Sequence, residues 1–192
     1  MEFDTAKTLF AVGLILLIIT YPLLIFSPSI ILLVIVIVSW ILILEGADGL
    51  SKHYRRPELF RNMLYAVIIA IIGSVIVLAV VITAYISMSA SPGPPRGLGG
   101  VTSLILIFAP LWALGVVVAY FVKRVYRGLY EVSKVDSFKT AATLVWIGAL
   151  TAIILVGGAI YLVGQIFAIV GAFGLKPPKP ENPPQTQDTT PH

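Results

Sequence analysis

The chain has 192 residues, of which 58% are apolar and 11% charged, with a formal net charge of +4 and a mean hydropathy of +1.00. A soluble domain carries about 25% charged residues, so a water-exposed globule is excluded and a polytopic membrane protein is implied. There is no cysteine, which excludes disulfides, thiol chemistry and cysteine-ligated metal.

A hydrocarbon core of roughly 30 Å needs ~20 helical residues to cross it. Backbone in lipid must pair with itself, and these apolar runs do not alternate as barrel strands do, so each span is expected to be a helix. The first run is Leu9 to Phe26. Glu2 and Asp4 precede it and no small-residue cleavage pattern follows, so it reads as an uncleaved span, kinked at Pro22. Ser27-Pro28-Ser29 is a turn in which Ser27 can cap the next helix and Pro28 can open it. Its brevity forces an antiparallel hairpin with the second run, Ile30 to Leu44, with Trp40 at an interface. A basic loop, 45–62, follows.

The third run is Met63 to Met88, and "SASPGPPRGLGG" follows at 89–100. Gly97, Gly99 and Gly100 faintly echo a phosphate loop. No strand precedes them and no Lys-Ser/Thr pair follows, so a flexible connection is the better reading. The fourth run, Val101 to Val122, is expected to continue into water as the helix "KRVYRGLYEVSK". There Tyr126 can meet Tyr130, and Arg127 can meet Glu131, four residues on. Asp136 or Ser137 is the expected cap of the next segment. Ala141 to Leu175 then runs 35 residues without a charge, about 52 Å as one helix and too long for one crossing. The Gly157-Gly158 pair is read as a tight turn between two short spans, Ala141 to Val156 and Ala159 to Phe173, with one long kinked helix as the alternative. The expected organisation is an all-α bundle of five or six spans over 1–175 and a disordered tail, 176–192, with six prolines.

Lys and Arg are unevenly placed. Lys52, Arg55, Arg56 and Arg61 lie in one connection, and Lys123, Arg124, Arg127, Lys134 and Lys139 in another, while 27–29 has none and 89–100 has only Arg96. This alternation predicts that the N-terminus and both basic segments are cytoplasmic, in the cell membrane. Lys52, Arg55, Arg56, Arg61, Lys123, Arg124 and Arg127 are thereby topology determinants, or contacts to anionic lipid. Pro57 is expected to open a short interfacial helix with Leu59, Phe60 and Leu64 toward lipid. The positive charge is explained by this placement, so no nucleic-acid partner is expected. His53 could sense pH or bind a ligand, but it stands alone, so no metal and no cofactor are expected. Asp48, Ser51 and His53 contain the letters of a hydrolase triad, crowded into a stretch where coincidence is the better explanation.

The apolar runs hold no Asp, Glu, Lys, Arg or His. Proton relays, ion-coupled sites, voltage sensors and intramembrane aspartyl proteases rest on such groups. The neutral polar residues there are Thr20, Ser39, Ser74, Thr83, Ser103, Thr143, Thr151, Tyr161 and Gln165. Gln165 is the costliest to leave unpaired, so an interhelical hydrogen bond is expected, with a pore or ligand role as the alternative. Small residues recur at four-residue spacing, as Ala66, Ala70 and Ser74, as Gly115 and Ala119, and as Gly164, Ala168 and Ala172. Such faces let helices approach closely, within one bundle or between protomers and other membrane proteins.

The basic stretch "LSKHYRRPELFRNML" and the later "YRGLYEVSKVDSFKTAATLVWIGALTAIILVGGAIYLVGQIFAIVGAFGL" resemble domain-of-unknown-function family 996, a largely archaeal group of small polytopic membrane proteins. Ser51, Tyr54, Phe60 and Asn62 carry the likeness in the first stretch, and Phe138, Gly148, Gly157 and Phe173 in the second. The resemblance implies a fold and a location and supplies no catalytic residue. The expected role is a structural or assembly component of the membrane and not an enzyme. The alternatives are a facilitative transporter or channel for an uncharged or lipid-like molecule and, less favoured, an enzyme acting on lipid.

Overall fold

The computed structural model describes residues 1–26, 29–90, 98–154 and 156–178. Its described residues form six helices and no strand: α1 Phe3–Phe26, α2 Ile30–His53, α3 Pro57–Ala90, α4 Leu98–Ser133, α5 Asp136–Thr151 and α6 Val156–Phe173. All but α5 are long and apolar enough to cross a membrane; α5 has 16 residues. Of the phosphate-loop echo, Gly97 lies outside the described residues and Gly99 and Gly100 lie in the first turn of α4; most of the proline-rich tail lies outside the described residues.

The cap of α2 falls two residues later than expected. Ser29 caps α2, with an extended backbone and its Oγ accepting the Leu32 N–H at 3.3 Å. Ser27 and Pro28 lie outside the described residues. At its other end α2 runs on to His53, through the first half of the expected basic loop. Gly46, Ala47, Gly49 and Leu50 are buried there, so packing on α1 sustains a helix that charge alone would not predict. Trp40 therefore sits in mid-helix, partly buried against the core. The connection proper is Tyr54 to Arg56, turned by Arg55 at a φ of 54°, and Pro57 opens α3 itself and not a separate interfacial helix. Leu59 is buried at 3% exposure and lies over Gly128, so it faces α4 and not lipid.

α4 carries its helix past Val122 to Ser133, as expected. The turn to α5 uses a left-handed Lys134, φ 57°, and Ser133 Oγ accepts the Val135 N–H. Val135 occupies the cap position without a side-chain bond. Asp136 and Ser137 cannot cap, because both already lie in the first turn, where Asp136 faces the positive end of the helix dipole. The long uncharged segment is a hairpin, but it turns just before Gly157, with Ile154 N–H donating to Thr151 O and Gly157 N–H to Ile154 O. Gly157 belongs to the first turn of α6, where a Cβ would collide with the Thr151 and Ala152 backbone. The glycine is there for close approach, not to make the turn.

The helices pack in cyclic order, each on its two sequence neighbours, with α6 closing on α1. Their shared end gathers the N-terminus, the α2–α3 turn, the α4–α5 turn and the end of α6. There Phe3 stands edge-on to His53 and Tyr54, and the His53 Nε2–H donates to the Met1 carbonyl at 3.0 Å. Tyr54 Oη donates to the Lys176 carbonyl at 2.7 Å. From this end three hairpins rise to different heights: about 36 Å for α1–α2, just over about 50 Å for α3–α4 and roughly 25 Å for α5–α6.

Side chains fill the bundle at this end, with Phe10, Ile43, Met63, Tyr126, Leu129, Phe138 and Val145 almost wholly inaccessible. Close backbone approaches knit the hairpins, as where a Cβ on Gly46 would fall 2.7 Å from Phe10 Cα. Ala168 is fully buried. Ala168→Leu is expected to cost about 1–3 kcal/mol by overfilling this contact, read as a lowered thermal unfolding midpoint in detergent; an unchanged midpoint would show that the site can absorb the volume.

Candidate functional site

Two arrangements of polar groups stand out. The first lies inside the bundle. Tyr126 on α4 is fully buried, and its Oη donates to Gln165 Oε1 on α6 at 2.6 Å. Tyr161 lies within electrostatic reach of Gln165 and of Tyr21 on α1. The other intramembrane hydroxyls turn back on their own helices: Thr20 to Leu16, Ser39 to Ile35, Ser74 to Ile71, Thr83 to Ala79, Thr143 to Lys139 and Thr151 to Ile147. The Ser103 side chain lies outside the described residues. Of these groups Gln165 bonds across helices, and no described buried side-chain oxygen or nitrogen lacks a partner.

The second arrangement is a cleft of about 230 Å³ between α3 and α4, toward the charged end. Its floor is Leu59 against Gly128. Arg56, Arg124 and Arg127 line it together with Asn62, Glu58 and Glu131. Among the described residues the ion pairs are Lys7 with Asp4 and Lys52 with Asp48, so none of these three arginines is paired. Arg127 and Glu131, expected to meet, share the cleft without forming an ion pair. Arg124 instead stacks toward Tyr120, with Cζ 5.8 Å from the ring centroid. Asn62 is 6% exposed, and no described residue hydrogen-bonds its amide, which leaves that amide open to the cleft.

Just beyond the cleft, toward the apolar ends of the helices, the rings form a chain. Tyr65 meets Phe121, Phe121 meets Tyr120 and Tyr120 meets Trp146, at centroid distances of 5.6, 5.4 and 6.1 Å. Lys123 Nζ lies 4.5 Å from the Trp146 ring. Aromatic rings and snorkelling lysines collect where lipid meets water.

The basic residues thus separate into distinct settings. Arg56, Arg124 and Arg127 converge on the cleft. Lys52 is held by Asp48, Lys123 lies on Trp146, Arg61 is exposed outside the cleft lining and Arg55 forms the turn. Asp48, Ser51 and His53 do not converge, since Ser51 Oγ donates to the Asp48 backbone carbonyl and His53 turns to Met1. Among the small residues, Ala66, Ala119, Gly164, Ala168 and Ala172 are buried, whereas Ala70 is only partly so and Ser74 is exposed. A Cβ on Gly115 would meet open space, so that glycine is not part of a seam.

Three features had no sequence signal strong enough to find them. Trp112 Nε1–H reaches the Ala149 carbonyl at 3.1 Å, supplying a donor at the end of α5. Tyr54 fastens the start of the tail, and burial pushes its phenol up to about 12, so it stays a donor throughout the neutral range. Asn62 acquires its place only when α4 folds beside α3.

The residues that carry the family likeness are largely packing residues. Phe138 lies between Gly171 and the Tyr126 ring, Gly148 meets the Tyr161 backbone and Gly157 meets that of Thr151. The family described as a protein of unknown function, DUF996, matches residues 35–166. A relative in Methanocaldococcus jannaschii, the uncharacterized protein MJ1644, is 31% identical over 175 residues, which cover 91% of this chain and 94% of that protein. No solved structure matches significantly. Matched over most of its length by the family and nearly end to end by this relative, the chain belongs to the DUF996 family.

Proposed function

We propose that this protein is a non-enzymatic assembly component of the cytoplasmic membrane, with its N-terminus and C-terminal tail both cytoplasmic. The bond between Tyr126 and Gln165 carries the assembly reading. It occupies the bundle interior with a satisfied neutral pair where a translocation path would need free polar groups, and the surrounding small-residue contacts favour a rigid scaffold. Partners of such a scaffold are membrane lipids, a second copy of the chain or another membrane protein. The test is flux of small neutral solutes into vesicles containing the purified chain. Leakage no faster than from empty vesicles, together with a defined homo-oligomer or a stoichiometric second component in native lipid extracts, is expected. Saturable flux would overturn the assembly reading in favour of a transporter.

The topology rests on a parity argument. α5 leaves the shared end and α6 returns to it, so the two cross together or not at all. In either case the tail emerges on the side of the N-terminus, and the basic segments at that end put this side in the cytoplasm. An even number of spans follows from this parity, and six is the reading we adopt, with α5 and α6 crossing together. Thr189→Cys, in a chain otherwise free of cysteine, is expected to resist a membrane-impermeant thiol reagent on intact cells and to react after lysis. Strong labelling before lysis would overturn it.

A further inference from the structure

We propose that the α3–α4 cleft is a binding site for the headgroup phosphate of a phospholipid, gripped by Arg124 and Arg127 with Asn62 as a neutral hydrogen-bonding partner. This rests on the membrane-embedded reading above and goes further by naming one site and one ligand chemistry.

Two observations about the lining come first. The arginines of the cleft carry no ion pair, although charged residues crowd this end of the molecule. A guanidinium presents a planar fork of donors matched to phosphate oxygens, and such bonds are stronger than neutral ones. Asn62 is nine-tenths buried, unpartnered and open to the cleft. Its amide atoms are reached through the cleft, so they offer a donor and an acceptor to a ligand oxygen or hydroxyl there.

Depth decides between a lipid and a soluble anion. The rings of Tyr65, Tyr120, Phe121 and Trp146 make their contacts at one level across α3, α4 and α5. Tyr65 and Tyr120 are 44% and 43% exposed, so they face outward. Arg124 follows the last apolar residue of its run, Val122, by two positions, and Arg127 lies one helical turn further out. That is the level of the lipid phosphate when the rings lie at the interface. Farther along the helices, exposed Ile68 and Ile72 on α3 and Val117 on the Arg124 face of α4 are offered to acyl chains. Glu58 and Glu131 lie at the outer, water-side end of the cleft, near the helix termini. With Arg56 beside them, the lining carries three positive and two negative groups, a net charge of +1 that matches one phosphodiester.

The intact chain is reconstituted in vesicles of phosphatidylglycerol and digalactosyldiacylglycerol in equal amounts, extracted in mild detergent, and the retained lipid counted by mass spectrometry. The wild-type protein is expected to keep phosphatidylglycerol in preference to the phosphate-free glycolipid. The double variant Arg124→Gln and Arg127→Gln is expected to lose that preference by about tenfold or more, with the glycolipid unchanged. Asn62→Ala is expected to weaken it with no change of charge. Lys134→Gln with Lys139→Gln removes the same charge elsewhere and is expected to retain it. Equal loss in this control would overturn the cleft in favour of diffuse attraction. Inorganic phosphate alone, at millimolar concentration, is expected to leave the thermal midpoint unmoved; a rise equal to that given by phosphatidylglycerol would reassign the site to a soluble anion. Arginine variants are compared only as monodisperse protein on size exclusion, and if they fail this, Asn62→Ala decides. Resistance of the chain to alkaline extraction from membranes is measured in parallel. A chain that resists extraction yet keeps no phosphatidylglycerol loses only the cleft, whereas a chain that washes out loses the membrane reading too.

Discussion

Gly148→Ala is expected to destabilise the protein by about 2–3 kcal/mol, a large effect for one methyl group. The added Cβ would fall 2.7 Å from Tyr161 Cα and 2.9 Å from the Gly157 carbonyl oxygen, closer still to the Tyr161 nitrogen. All three are backbone atoms, so no rotamer change relieves the clash and α5 must part from α6. In an ordinary exposed helical position the same substitution would stabilise by roughly 0.5–1 kcal/mol. Gly158 supplies that control in the same hairpin, since a Cβ there meets nothing within 4 Å. Thermal unfolding in detergent should therefore move in opposite directions for Gly148→Ala and Gly158→Ala. Matching midpoints would refute the close approach of the two helices.

Tyr126→Phe is the second large effect expected. It removes the donor and strands Gln165 Oε1, in a side chain 3% exposed. The loss is expected to be about 1–3 kcal/mol, the usual cost of an unsatisfied buried acceptor. Gln165→Leu strands the tyrosine hydroxyl and should cost a comparable amount. The double variant removes both polar groups, so it should be less destabilised than the sum of the two, by about 1 kcal/mol or more. Strict additivity would mean that the bond does not couple the helices.

The helical class, the α3 and α4 hairpin and the extension of α4 to Ser133 were legible because hydrophobic runs are long and charges punctuate them. Residues 45–53 were not. Their charges resemble a loop, and only the burial of Gly46 and Gly49 against α1 explains the helix, which is a tertiary effect. The glycine pair was assigned to the right hairpin and the wrong task, since a glycine that turns and a glycine that lets backbones touch look alike in one dimension. The seam at Ala168 and Ala172 could be read from spacing, whereas Gly115 has that spacing and faces open space. Of the candidate site, the arginines were legible as charge. Their separation into cleft residues and others was not, because it depends on which side of α4 meets α3. Tyr126 finds Gln165 across 39 positions, a distance over which local pattern carries no information.

The three hairpins of unequal height bear on the surrounding bilayer. α3 and α4, with 34 and 36 residues, stand beside α5 and α6, with 16 and 18. The charged ends of α3 and α4 extend past an acyl-chain core of roughly 30 Å, whereas α5 and α6 fall short of it. In a bilayer, lipid would have to thin against α5–α6, at a fraction of a kcal/mol per Å. The short flank, with Ile153 and Ile154 exposed at its tip, is where bilayer thickness should most change the protein's stability.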